Sequence, residues 1–411
     1  MILENLQELT ADQKRFLHET TIEEEVPGAI LLDFATLLDF IREVDVPLTG
    51  THLLPLKLLA PLNERMTNPH VQTLQRPTLK SYPHLEGLFL LSRASGLTYV
   101  NSTRKKPRLI LDSVVYNSWA TLNPTERYFT LLESWILRGH PEILGENGNL
   151  FDFFGPLSGW KGFFEKVPKQ GKRIVPNTED EHSLRYFPGL RNLALMELFG
   201  FAIVQRAPLA ERKSWPIASI ERTPLGDATL QLLLQHLADI LETRAVLDPP
   251  SLVPPGQLQS KFQPYFPQWH NNLVIPGHDF EDGVYLFQVS LSEHLWRKIA
   301  IPATKMLEDL SRAILDAYEF NHDHLHEFIF QSRFGINERV RHPYMEEEPF
   351  TTEVRVGDLP LSSGASMTYL YDLGASWLFD VRLERIDPID SNMSEPTLVE
   401  KSGDAPEQYP F

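Results

Sequence analysis

Five of the six residues from 322 to 327 can ligate a metal or carry a proton: His322, Asp323, His324, His326 and Glu327. On a β-strand, side chains two apart share a face, so His324 and His326 would present two imidazoles together. Asp372 would complete the three donors that a divalent metal needs. The same face carries Phe328 and Phe330, so hydrogen-bonded histidines capping a sheet end fit the pattern equally well, and no His-Glu-x-x-His spacing is present.

A second set of residues is basic. Arg104, Lys105, Lys106 and Arg108 lie in one segment, and Lys169, Lys172 and Arg173 lie in another, as clustered cations that contact nucleic-acid phosphates do. The chain contains no cysteine, which removes disulfides, thiolate zinc sites and cysteine nucleophiles. It also lacks a Gly-rich phosphate loop ending in Lys-Ser or Lys-Thr, a dinucleotide fingerprint and a Gly-x-Ser-x-Gly elbow, so no cofactor is expected.

The 411 residues exceed what one hydrophobic core accommodates, and 42% hydrophobic with 23% charged residues is ordinary globular usage. A formal net charge of −17 repels nucleic acid at long range, so DNA contact would need a local basic patch. The acidic start of the chain and the absence of an apolar run of about 20 residues lead to the expectation of a cytoplasmic protein without membrane contact.

Two upstream segments share one layout. In the first, an apolar helix pattern (Leu85, Leu88, Phe89, Leu91) stops at Gly96. Strands Leu97 to Val100 and Arg108 to Leu111 follow, and then a helix capped by Asn123 with Pro124. In the second, Leu193, Leu195, Leu198 and Phe199 stop at Gly200, strands Phe201 to Val204 and Ile217 to Ile220 follow, and Thr223-Pro224 opens a helix. Helix, strand, loop, strand, helix is the winged-helix order, with the basic loops where wings would be. Seven prolines between Val246 and Asp282 then mark a linker.

Beyond the linker, Val284 to Leu291 and Leu295 to Ile301 form a hairpin pattern, and Thr304 suits the N-cap of a helix with Leu307, Leu310, Ile314 and Tyr318 on one stripe. Leu325 to Phe330, Thr352 to Val356, Met367 to Tyr371 and the alternating Trp377 to Leu383 are expected as strands. From Asp387 onward, six acids against one base predict a surface tail. Leu295-Trp296-Arg297-Lys298-Ile299 with Pro302, His324-Leu325-His326-Glu327-Phe328, and Tyr371-Asp372-Leu373-Gly374 with Trp377 resemble the plasmid pRiA4b ORF-3 family over roughly residues 285–386. The resemblance implies an accessory protein of plasmids or insertion elements with no established activity. Ala375 and Phe379 stand where the family pattern has an acid and a histidine.

These readings predict a multi-domain α+β chain. Winged-helix-like units at 1–145 and 146–245 and a linker at 246–282 precede a β-grasp-like sheet with one packed helix at 283–386 and an acidic tail at 387–411. The expected function is non-enzymatic binding, with a macromolecular partner that is protein rather than DNA; the oligomeric state is open. A DNA-binding regulator using the basic loops and a metal-dependent enzyme at His324, His326 and Asp372 are the alternatives.

Overall fold

Asn123 starts the helix that organises the first half of the molecule. Its side chain accepts the Glu126 N–H at 3.0 Å while the Glu126 carboxylate accepts the Asn123 N–H at 2.9 Å, a reciprocal cap that satisfies two otherwise unpaired donors. The computed structural model describes residues 8–71, 73–101, 107–146, 155–208, 215–242 and 253–409. The chain divides into two compact units, the second beginning at Pro276.

The first unit runs through α1 (Ala11–Glu19), α2 (Ile30–Glu43), β1 (Val46–Pro47), α3 (Leu56–Asn63), α4 (Pro83–Ala94), β2 (Thr98–Asn101), β3 (Arg108–Leu111), α5 (Ser113–Thr121) and α6 (Pro124–Arg138). It continues with α7 (Gly155–Lys166), β4 (Lys172–Arg173), α8 (Glu179–Ser183), α9 (Leu190–Leu198), β5 (Ala202–Arg206), β6 (Ile217–Arg222), α10 (Pro224–Glu242) and α11 (Gln259–Phe262). Two small antiparallel sheets, ordered β1-β3-β2 and β4-β6-β5, hold the strands of the two layouts read from the sequence.

The two layouts lie in one compact unit, where the matching helices α4 and α9 pack on each other. Every residue of α4 is buried, and a Cβ at Gly87 would lie 2.8 Å from the Leu195 side chain, so glycine permits the close approach. Within the expected linker, residues 253–275 are laid along α6 as part of this unit. The buried Glu133 carboxylate accepts the N–H groups of Gly256 and Leu258, each at 2.7 Å. Glu126 accepts those of His270 and Asn271, and Trp269 stacks on Phe129 at 4.5 Å. Carboxylates on one helix thus hold a proline-rich segment that has little regular structure of its own.

In the second unit β7 (Val284–Ser292) and β8 (Leu295–Pro302) form the expected hairpin, followed by α12 (Leu307–Ala317), β9 (His326–Gln331), β10 (Asn337–Arg341), β11 (Ser366–Tyr371), β12 (Trp377–Asp387) and β13 (Thr397–Ser402). The sheet is antiparallel throughout, ordered β10-β9-β11-β12-β7-β8-β13. Together with the helical first unit this is an α+β architecture. Strand alternation sends Phe287, Val289, Phe328, Tyr369, Phe379 and Val381 to one face, where Leu307, Leu310 and Ile314 of α12 cover them. Burying each such side chain contributes about 1.5–3 kcal/mol.

Three local expectations differ from the structure. The helix begins after Met306 rather than Thr304, because Met306 still bridges Arg355 in extended conformation and its N–H is accepted by Asp309 at 3.0 Å. Residues 352–356 make turns rather than a strand, leading into a short 3-10 helix at Val356–Asp358. The acidic tail contributes β13, an edge strand on β8. Arg297, 1% exposed, fixes that edge: its guanidinium donates to Ser402 O at 2.8 Å and to Ala317 O at 2.8 Å, joining β13 to the end of α12.

Candidate functional site

His324 and His326, expected on one face, have separate surroundings. His324 precedes β9, and its Nδ1 is 3.8 Å from Asp372 Oδ2. Asp372 is a turn former: with φ at 54° it accepts the N–H groups of Gly374 and Ala375 at 3.0 and 3.1 Å and the Tyr409 hydroxyl at 2.9 Å. Those bonds, led by the one from Ala375, hold its carboxyl below the ordinary range. Among the described residues no three His, Cys, Asp or Glu side chains gather as a metal site requires.

His326 opens β9 and is buried against α12. Its Nε2 lies 3.2 Å from Glu308 Oε2, and the same oxygen accepts the Thr351 hydroxyl at 2.7 Å. Ser311 bonds to Tyr369 at 2.6 Å, and its hydroxyl is 3.5 Å from His326 Nδ1. The hydrogen bond from His326 holds the Glu308 carboxyl down at about 2, with Thr351 acting in the same direction against the effect of burial. Serine, histidine and glutamate meet here in a triad-like order, but Ser311 and Thr351 are 1% and 0% exposed, so no substrate reaches the hydroxyl.

Of the basic residues, Arg104, Lys105 and Lys106 lie outside the described residues. Arg108 pairs with Asp45 at 2.5 Å and Lys172 with Asp180 at 2.7 Å, while Lys169 and Arg173 are exposed.

The first unit contains a cluster that sequence reasoning missed. Glu197 near the end of α9 has Oε2 2.6 Å from His84 Nε2, and the other nitrogen of that ring, Nδ1, meets His70 Nε2. His84 thus joins Glu197 and His70 through its two ring nitrogens. Trp215 packs on both imidazoles, 4.9 Å from His84 and 5.4 Å from His70.

The backbone of His70 is fixed by Asn63, whose amide accepts its N–H at 2.9 Å and donates to its carbonyl at 3.0 Å. Arg206 on β5 holds the preceding carbonyls of Pro69 and Asn68. Asp33, in the first turn of α2 and 2% exposed, accepts the Thr67 N–H at 2.7 Å and its hydroxyl at 3.0 Å. Burial pushes the Asp33 carboxyl up, against those bonds and the His84 ring.

These groups line a cavity of about 210 Å³, with Asp33, His70, His84 and Glu197 on its polar side and Met66 and Leu198 among its apolar walls. Its lining spans sequence positions 29 to 198, so no short motif announces it. The one available signal was a charge set inside an apolar run, as with Asp33 in Ile30-Leu31-Leu32-Asp33-Phe34 and Glu197 in Leu195-Met196-Glu197-Leu198-Phe199.

No curated protein is similar to the chain. One solved structure that matches is a crystal structure of protein of unknown function MM3350 from Methanosarcina mazei Go1, 24% identical over 29% of this chain and 70% of that one, with a TM-score of 0.27. The family match extends past Ile386, so β13 belongs to the same module as the hairpin that opens it. Residues 284–408 match the family described as plasmid pRiA4b ORF-3-like protein.

Proposed function

We propose that the protein is a non-enzymatic binding or accessory protein, connected with plasmids or mobile elements, whose partner is a protein rather than DNA. The two helix, strand, strand, helix segments are read as winged-helix-like and the C-terminal sheet as β-grasp-like. The observation that carries the reading is the sheet face opposite α12. Along β12, Phe379, Val381 and Leu383 are buried, whereas Leu378, Asp380 and Arg382 are exposed. Leu378 is 58% exposed and stands directly across from Leu370, with half-buried Ile329 two strands away. The pair Leu370 and Leu378, with Ile329 diagonal to it and both signs of charge beside it, suits a protein surface better than a phosphate backbone. The pairing of Arg108 and Lys172 with acids supports the same preference.

The test is affinity capture from the native host with the full chain and its Leu378→Glu variant, alongside a low-salt DNA gel shift. A protein retained by the wild type and lost with Leu378→Glu, without a DNA shift, is the expected result. DNA binding that weakens with salt and disappears in Lys169→Glu/Arg173→Glu would replace this reading by the regulator.

A further inference from the structure

We infer that the cavity of the first unit is a binding site for a small organic cation, an alkylammonium or amidinium with a short apolar chain. The argument starts from charge. Two carboxylates line the cavity and none of its lining residues is Lys or Arg. Glu197 has a cation near it, since besides its hydrogen bond with His84 it interacts electrostatically with the Arg206 guanidinium. Asp33 does not: it is 98% buried on the 2% exposure of its residue, and its bonds come from neutral Thr67. Among the described residues the titratable group that acts on it is the His84 ring, and that ring is already committed to Glu197 and His70.

A buried carboxylate is costly unless a cation or a full set of donors accompanies it. Among the described residues no Lys or Arg supplies that charge to Asp33. A bound ammonium would do so, and Met66, Leu198 and Ala29 offer its carbon chain an apolar wall. The volume, about 210 Å³, is below the range of drug-sized pockets and sets the ligand at a few heavy atoms. A bare metal ion fits less well, because the two imidazole nitrogens that converge are hydrogen-bonded to each other and, among the described residues, no three His, Cys, Asp or Glu side chains gather as a metal site requires.

The experiment is isothermal titration of the full chain with n-butylammonium chloride, with 1-butanol and sodium butyrate as neutral and anionic counterparts and zinc chloride as a separate titrant. Butylammonium should bind one to one and at least about tenfold more tightly than butanol, a difference that a desolvated charge pair readily supplies. Asp33→Asn should remove that preference, with circular dichroism reporting retention of fold. Ala29→Leu, which fills the wall without touching a polar group, should abolish binding and covers the case in which Asp33→Asn fails to fold. Equal binding of butanol and butylammonium, a preference that persists in Asp33→Asn, binding unaffected by Ala29→Leu, or stoichiometric zinc in place of the ammonium would each overturn the inference.

Discussion

The two units each contain an acid hydrogen-bonded to a histidine, and the pairs differ in what surrounds them. Glu308 and His326 are closed in by Thr351, Ser311 and Tyr369, each fully or almost fully buried. Glu197 and His84 continue through His70 along a cavity wall shared with Asp33. Side-chain chemistry alone therefore does not distinguish a structural polar network from a receiving site; access and unmatched charge do. In the closed cluster donors surround the acid and lower its pKa. In the open one Asp33 is raised by burial that its two bonds from Thr67 do not offset.

The largest expected effect follows from Glu308. Its carboxyl stands at about 2 in the folded chain against an unfolded value of 4.5, so the unfolded state binds the proton more tightly. The stabilisation is fully present above the unfolded value and is lost as pH falls from about 4.5 through about 2, amounting to about 3 kcal/mol. Glu308→Gln should lower the stability of the second unit by about 2–3 kcal/mol at pH 7. Urea titrations of wild type and variant should then converge as the pH approaches 2. A constant difference across that range would separate the lost stability from Glu308 ionisation.

Asp33 should show the opposite slope. Its folded pKa is raised, so its contribution is greatest below the unfolded value of 3.8 and is lost as pH rises through the folded value. Asp33→Asn should therefore leave stability at pH 7 unchanged or raise it, by up to about 1 kcal/mol, whereas Glu308→Gln lowers it. A loss in both variants would mean that Thr67 compensates Asp33 as completely as His326 and Thr351 compensate Glu308.

Local signals in the sequence located most of the elements and little of the site. Asn123-Pro124 marked α6 because a cap is a contact between near neighbours, and β7, β8, β11 and β12 were legible because pleat alternation is written into consecutive residues. β13 was not legible, since an edge strand with an exposed pattern is held by its neighbour β8 and by Arg297 about a hundred residues away rather than by its own hydrophobicity. The path of the proline-rich stretch was not legible for the same reason, because the partners of its N–H groups are Glu126 and Glu133. His324 and His326 sit two apart, yet only His326 lies in the strand, so the period of two did not apply. The cavity joins α2, the segment after α3, α4 and α9, and spacing carries no information about such a meeting.

A contrast between two threonines gives the finest test of closed against open. Thr351 and Thr67 each donate a hydroxyl to a carboxylate, at 2.7 and 3.0 Å, but Thr351 is fully buried and Thr67 is exposed. Removing the first hydroxyl leaves a buried acceptor with one donor fewer and no water to replace it, for a cost of about 1.5–3 kcal/mol in Thr351→Val. Removing the second lets solvent reach the carboxylate rim, while the Thr67 backbone N–H still donates at 2.7 Å, so Thr67→Val should cost less than about 1 kcal/mol. Denaturant midpoints of the two variants at pH 7 measure the gap directly. If Thr67→Val proved as damaging as Thr351→Val, water would not be entering beside Asp33, and the cavity would have to be counted with the closed networks.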